Sequence, residues 1–468
     1  MNGPGVFPVV FRILFDKMSI PDLAIHSKRV LLDGELKDAT IYIHEGKILE
    51  IKDGKGDLKS AKVFDDVKDS VVMPGLIDCH VHINEPGRTD WEGFETATRA
   101  AASGGITTLV DMPLNSTPVT TTVKNLKEKF EAAEGKLFVD CGFWGGIVSG
   151  DVSEIEPLIK AGVLGFKAFL THSGIDDFPN ASLKDLEKAA PILKKYNLPL
   201  LAHAELDSKH KGQKAFEDDP ESYQAFLGSR PRSWENDAIK ELIALCKKTG
   251  ARVHIVHLSS SDSIAQIHDA RSNNLPLTVE TCPHYLFFEA ETIPDGDTRY
   301  KCTPPIREKE NNEKLWQALK DGTLDFIVSD HSPAPPEIKE IESGNLKEAW
   351  GGISSLQFTL AIIWTVALRD KTGIAEISRL MSTNVADFLG LKNKGRLEPG
   401  ADADIVVWSP EKKLKVSRSN IRFRHPITPY EGQMLSGLVE LTYVRGNKVY
   451  DKGSLVSSPT GQVILNTL

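Results

Sequence analysis

Two histidines stand one residue apart in "VVMPGLIDCHVHINEPGRTDWEGF", residues 71–94, just after an apolar run. Side chains alternate faces along a strand, so His80 and His82 point the same way. Histidine is the commonest metal ligand, and such a pair offers two imidazoles to one ion. Taken alone, the pair is equally compatible with two unrelated loop histidines. Three later segments add to it. "LLAHAE" ends with His203, "RVHIVHLSS" offers His254 and His257, and "FIVSDHSP" ends with Asp330. His254 and His257 fall on opposite faces of a strand. His257 is nearer the strand's C-terminal end and is the candidate ligand, whereas His254 reads as a packed or surface residue. Four strand ends thus carry histidine or aspartate in converging positions, which chance placement does not explain.

A fifth segment, "LGFKAFL", puts Lys167 inside an otherwise apolar strand. A buried lysine is costly unless it is paired or neutralised. Two accounts stand side by side. The amine reaches the rim of the fold along its own aliphatic stem, or it adds CO2 and becomes an anionic carbamate that bridges two cations.

The elements that position these residues follow from the pattern around them. From residue 73 to 392, short apolar strands such as "TTLVDMP", "GFKAFL", "LPLLAHAE" and "LDFIVSDHSP" alternate with helical stretches. "LKDLEKAAPILKKYN" and "NDAIKELIALCKKTG" are two of the latter. Alternation over about 300 residues predicts a closed, eight-fold parallel barrel, whose catalytic groups sit at the C-terminal ends of its strands. Residues 23–72 and 393–468 have a strand-and-turn texture instead, with a hairpin expected in "ATIYIHEGKILEIKDG". The expected fold is therefore α/β: a (β/α)8 TIM-like barrel over 73–392, with a small β-sandwich-like domain built from both chain ends. Residues 1–22 form an N-terminal tail.

Composition narrows the partners. The chain has 468 residues, 40% hydrophobic and 26% charged, with a formal net charge of -9 and no long basic block. Nucleic acid and anionic membrane are poor partners for such a surface. No apolar stretch is long enough to span a bilayer. Five cysteines without a C-x-x-C pair are no disulfide framework and suit a reducing compartment. The N-terminal "MNGPGVFPVVFRILFDKMS" is interrupted by Arg12, Asp16 and Lys17 and lacks a small-residue cleavage site, so secretion is not expected. The C-terminal "NTL" is not a peroxisomal S-K-L address. Cytoplasm is the favoured compartment, with mitochondrion or peroxisome as alternatives.

H-x-H, "GFKAF", "AHAE", "VHLSS" and "SDHSP", in this order, resemble the cyclic amidohydrolases of the amidohydrolase superfamily. That group includes dihydropyrimidinases, hydantoinases, dihydroorotases and allantoinases. The resemblance covers nearly the whole chain, and "GRLEPGADADIVVWSP" is similar to the family's C-terminal signature. It implies two zinc ions per subunit, bridged by a carboxylated lysine and a hydroxide. Carried onto this sequence, His80, His82 and Asp330 hold one ion, His203 and His257 the other, and Lys167 bridges them. The implied chemistry is attack of hydroxide on the carbonyl of a cyclic amide, with Asp330 passing the proton to the leaving ring nitrogen. The alternative for Asp330 is ligation alone. The resemblance also implies a homo-oligomer, most often a tetramer.

Two departures bear on the ring that is opened. Dihydroorotases typically read H-x-H-x-R-E-P-G, where the arginine grips a substrate carboxylate bidentately. Here the segment is "HVHINEPG", with Asn84 in that place. After the metal aspartate they resemble D-H-A-P-H, whereas here "DHSPA" puts Ala334 where the second histidine would stand. Both changes suit a small-molecule substrate without that carboxylate. "HINEPGRTDWEGF", "DMPLNSTP", "FWGG" and "SDHSPAP" most resemble the branch that acts on allantoin, a neutral hydantoin ring bearing a ureido group. Hydantoinases and dihydropyrimidinases carry an oxyanion-assisting tyrosine that "AFLTHSGI" lacks. They remain the alternative, together with a non-catalytic relative that acts as a scaffold. Asn84 is a candidate ureido contact or a turn former. Thr303 in "YKCTPPIR" is a candidate ring contact. Gly351 and Gly352 in "AWGGISSLQ" either let the backbone approach the ring or simply turn the chain.

Overall fold

The alternating residues of "ATIYIHEGKILEIKDG" form the expected hairpin. Glu35–His44 pairs antiparallel with Lys47–Asp53, and the turn residues Glu45 and Gly46 take positive φ values of 48° and 78°. Such a turn matches the right-handed twist of the flanking strands. The computed structural model describes residues 20–57, 59–150 and 152–466. Residues 1–19, on which the absence of a secretory signal was expected, and the final two residues of "NTL" lie outside them.

Nine strands make one sheet from both ends of the chain. Leu23–Leu32 pairs with Glu35–His44, Val63–Asp66 and Val71–Pro74. Ile405–Lys415 runs antiparallel to Val71–Pro74, with Ile405 opposite Pro74 and Trp408 opposite Val71. Met434–Val444 and the short strands after it extend the sheet. Ile25, Ile41, Ile43, Val72, Ile405, Val407 and Tyr443 share one buried cluster. Strands far apart in the sheet order thus meet across a common core, so the sheet curls over it.

Eight parallel strands follow in the barrel: Leu76–Val81, Ile106–Asp111, Asp140–Gly146, Phe166–Phe169, Leu200–His203, Val253–Ile255, Leu277–Thr281 and Phe326–Ile327. The third is interrupted at Trp144. Asp140–Phe143 pairs back to Ile106–Asp111, whereas Gly145–Gly146 pairs forward to Phe166–Phe169. The chain's end fills the gap below, where Cys141 N–H donates to Gln462 O and Ile464 N–H to Cys141 O, both at 2.9 Å. Closure between the last strand and the first is made just beyond Val81. His82 N–H donates to His331 O at 2.8 Å, and Ser329 N–H to Asp78 Oδ2 at 3.0 Å. The strands are buried on both faces, as a parallel sheet covered by helices requires. Leu183–Lys195 shows how those helices form. Ser182 and Asp185 make a capping box, and Leu186, Ala189, Ala190 and Leu193 form the buried stripe. Among the described residues no helix is long and apolar enough to cross a membrane.

A buried charge cluster ties barrel, sheet and chain end together. Lys394 Nζ lies 2.8 Å from Asp140 Oδ2, 2.6 Å from Asp404 Oδ2 and 3.1 Å from Asp402 Oδ2. Arg445 also donates to Asp140, and its Nη2 reaches Thr460 O at 2.6 Å. Removing one partner of a buried ion pair leaves uncompensated charge, a loss of about 3–5 kcal/mol. Lys394→Met is expected to destabilise the protein by about that amount in urea unfolding. A loss below about 1 kcal/mol, the range of exposed pairs, would show that the cluster is screened like a surface one.

Candidate metal centre

The side chains singled out in the sequence arrive at one end of the barrel. His80 lies in the first strand and His82 just beyond it; Lys167 and His203 lie in neighbouring strands, where Phe169 is opposite His203. His257 and Asp330 sit past their strand ends and take φ values of 41° and 45°. Left-handed backbone at a residue other than glycine costs on the order of 1–3 kcal/mol and persists only where surroundings enforce it. Here the turn swings each side chain inward instead of letting it continue outward along its strand.

Six polar side chains then crowd a small, partly open cavity. His80 Nε2 and His82 Nε2 are 3.2 and 3.5 Å from the same oxygen, Asp330 Oδ1. His203 Nδ1 lies 3.0 Å from His257 Nε2. Lys167 is fully buried, and its Nζ has no hydrogen-bond partner. Burial pulls the amine's pKa down to about 8, although Asp330 and Glu280 pull the other way. Burial likewise holds His80, His203 and His257 below their ordinary range, so all three are neutral near pH 7.

A second layer decides which nitrogen of each ring is free. His203 Nε2 is 2.7 Å from Glu205 Oε2. Burial raises the Glu205 carboxyl, but Arg230 and His203 outweigh it and hold the pKa at about 2. Glu205 is therefore an acceptor, the ring proton sits on Nε2, and the Nδ1 lone pair faces His257. Glu280 stands on the other side, where burial raises its carboxyl to about 8. It accepts from the backbone N–H of His257 at 3.3 Å, lies 3.0 Å from His254 Nε2 and contacts His80 Nδ1. His80 Nε2 faces Asp330. His82 Nδ1 is 3.2 Å from Asn115 Nδ2, while Asn115 Oδ1 is buried without a partner. Turning that amide lets Oδ1 accept from His82 Nδ1–H, which satisfies both groups and frees the His82 Nε2 lone pair. Two imidazole nitrogens and a carboxylate oxygen pointing at one another are atoms that a cation would hold together. His80, His82 and Asp330 offer three ligand atoms within 4.8 Å of one another. The donor set therefore fits a metal ion, and the unpartnered Lys167 amine fits a group still to be added.

The remaining residues divide. Thr303 and Gly351 line the cavity, with Leu114, Asn115, Phe169, Ser173, Ser332 and Trp350. Asn84 does not: its Nδ2 turns toward Pro333 O at 3.4 Å. Gly352 is not in the lining either, and a Cβ there would lie 2.4 Å from Ser332 O, so close packing requires the glycine. His254 is packed against Phe326 and Phe388. The cavity opens into a wider vestibule flanked by Trp91, Arg230 and Trp234. Reading the sequence missed Glu280, Glu205, Asn115 and Trp350. Glu280 had a usable signal, since a carboxylate inside "PLTVET" is as anomalous as Lys167 inside "GFKAF". Asn115 and Trp350 stand in loops whose partners are distant in sequence, and no local pattern exposes them.

Three comparisons bear on this geometry. A model described as the amidohydrolase family matches residues 71–449. An allantoinase of Arabidopsis thaliana is 45% identical over 460 residues, covering 95% of this chain and 91% of the relative. An allantoinase of Streptomyces avermitilis is 44% identical over 447 residues, covering 96% and 99%. Among solved structures, an L-hydantoinase (dihydropyrimidinase) from Arthrobacter aurescens matches with a TM-score of 0.89 at 29% identity, covering 95% of this chain and all of that one.

The buried imidazoles also predict a pH response. Burial lowers His254 from 6.5 to about 3 and His284 from 6.5 to about 4. Their folded-state values lie below the unfolded one, so their contribution is present above pH 6.5 and is lost as pH falls toward the folded values. Buried Asp78 and Glu235, raised to about 7, and Glu280, raised to about 8, act in the opposite sense, so the check is a comparison with His284→Phe in the metal-free protein. The variant is expected to lose less Tm than the unaltered protein between pH 6.5 and about 4, and identical losses would mean that the His284 ring is not held neutral by burial.

Proposed function

The chain belongs to the amidohydrolase family, and from that premise we propose that it opens the ring of allantoin by metal-assisted hydrolysis to give allantoate. It is a hydrolase acting on the C–N bonds of cyclic amides, in a family that depends on metal ions. The observation that carries the narrower reading is the character of the cavity wall. Its lining holds no arginine and, apart from Lys167, no lysine among the described residues. Beside the donor set a ring's carboxylate would meet no arginine, since Arg230, Lys301 and Lys347 line the vestibule outside, whereas a neutral ring with amide and ureido groups meets Asn115, Ser173, Thr303, Ser332 and Trp350.

In this reading His80, His82 and Asp330 would hold one zinc ion and His203 and His257 the other, with carboxylated Lys167 as a further ligand. A low amine pKa supports carboxylation, because only the neutral amine attacks CO2. When bound, the ions lower the pKa of water from about 16 to about 7 and polarise the amide carbonyl. The protein's own groups do the rest. Glu205 and Asn115 keep the His203 and His82 rings in the ligating tautomer. Asp330 takes the proton of the attacking water and delivers it to the ring nitrogen as the C–N bond breaks. Thr303 and Gly351 bound the ring, and Asn84 supports the loop through Pro333 rather than meeting the ureido group directly. The barrel over 73–392 supplies every one of these side chains, and the composite sheet of 23–72 and 393–468 braces it. The same reading includes a homotetramer and a cytoplasmic location. All five cysteines are buried and free, which suits a reducing compartment.

A scaffold without catalysis is the contrasting reading, and the complete donor set speaks against it. The test offers allantoin, dihydrouracil, hydantoin and dihydroorotate side by side to the zinc-loaded protein and follows ring opening. Allantoin is expected to be preferred, with dihydroorotate the poorest. Preference for dihydrouracil or hydantoin would move the chain to the dihydropyrimidinase branch, and no turnover of any ring would favour the scaffold.

A further inference from the structure

Two buried lysines lie behind the cavity wall that faces the histidines. Lys339 is 4% exposed and Lys301 9%. Neither ammonium pairs with a carboxylate among the described residues; both donate to backbone carbonyls instead. Lys339 Nζ reaches Lys301 O at 3.0 Å, Trp350 O at 2.9 Å and Gly352 O at 2.6 Å. All three of its protons are used. Lys301 Nζ donates to Lys347 O at 3.2 Å and also to Ala349 O. Burial depresses both amines, and each lies near a second positive charge, Lys301 for Lys339 and Arg230 for Lys301.

An ammonium without a counter-ion is an expensive occupant of a protein interior. A methionine or leucine would fill similar space at lower cost, so the bonds themselves call for explanation. They converge on two segments, 301–303 and 349–352, which are also joined directly. Gly352 N–H donates to Lys301 O at 2.9 Å, and Trp350 N–H to Ile338 O at 2.7 Å. These segments bring Thr303, Trp350 and Gly351 to the cavity. The Trp350 ring is braced edge-on by Trp91 at 4.8 Å, and its indole N–H is buried with no partner. A buried unpaired donor costs about 1–3 kcal/mol, a cost relieved when an acceptor enters.

We propose that Lys339, supported by Lys301, is a positioning residue for substrate binding. It staples the two cavity-lining segments through their carbonyls, so that Trp350 presents its indole N–H to a carbonyl oxygen of an uncharged, amide-rich ring. Lys339 touches no reacting atom, and its effect passes through Thr303, Trp350 and Gly351. The inference rests on the cavity's being the substrate site of a cyclic amidohydrolase.

The test compares the zinc-loaded full-length protein with Lys339→Met and Trp350→Phe, measuring zinc content, KM and kcat on allantoin. Loss of the three bonds that hold the two segments is expected to raise KM in Lys339→Met by about tenfold. Zinc content and kcat should stay within about twofold, less than half a kcal/mol. Trp350→Phe removes the unpaired N–H while keeping an aromatic ring, so it is expected to raise KM with Tm unchanged or higher. Parallel loss of zinc, kcat and Tm in Lys339→Met would reduce Lys339 to a structural lysine and overturn the inference. So would an unchanged KM in Trp350→Phe, the variant that decides the matter if Lys339→Met does not fold. If the unaltered protein opens another cyclic amide instead of allantoin, the proposed substrate fails while the same comparison, run on that ring, still tests the staple.

Discussion

At the centre of this protein, the nitrogen and oxygen donors of six side chains converge. His80 and His82 direct nitrogens at one oxygen of Asp330. His203 and His257 approach to 3.0 Å, and the Lys167 amine is fully buried with no partner. In a low-dielectric interior such an arrangement is unfavourable unless cations occupy it. Much of the surrounding architecture serves to keep these groups together. A closed barrel supplies rigid strand ends, left-handed backbone at His257 and Asp330 turns side chains inward, Glu205 and Asn115 fix ring protons, and Glu280 packs against His80 and His254. The site is thus prepared for positive charge by an outer ring of acceptors.

That preparation places stress on the fold, and the fold answers with buried polar ties. Asp111 joins barrel and site: its Oδ1 accepts from Ile83 N–H at 2.9 Å, and its Oδ2 lies 2.5 Å from Lys129 Nζ. Lys394 links barrel strand and composite sheet through three carboxylates. Lys339 does for the opposite wall what Asp111 does for the loop after His82. In each case a buried charge is satisfied by groups far apart in the chain, so each holds a loop that short-range propensity would leave free.

What could be read from the sequence was what short-range periodicity encodes. The hairpin around Glu45-Gly46, the strand-helix alternation and the strand-end residues His80, His203 and Asp330 all follow from spacing within a few residues. Lys167 announced itself by being a charge in an apolar strand. The outer layer did not, because Glu205, Asn115 and Lys339 acquire meaning only through partners brought near by barrel closure. Asn84 illustrates the limit. Its position beside H-x-H suggested contact with the ligand, yet a left-handed φ of 66° turns its side chain to Pro333. The interruption of the third strand at Trp144 was equally hidden, since it depends on the chain's end filling the space below Cys141.

The most direct test of the central claim is to reconstitute the metal-free protein with zinc in 13C-bicarbonate and record the 13C spectrum alongside zinc content. The account predicts two zinc ions per chain and one slowly exchanging carbamate signal, with both lost together in Lys167→Ala. Two zinc ions bound without a carbamate signal, or a carbamate that survives the loss of Lys167, would contradict it.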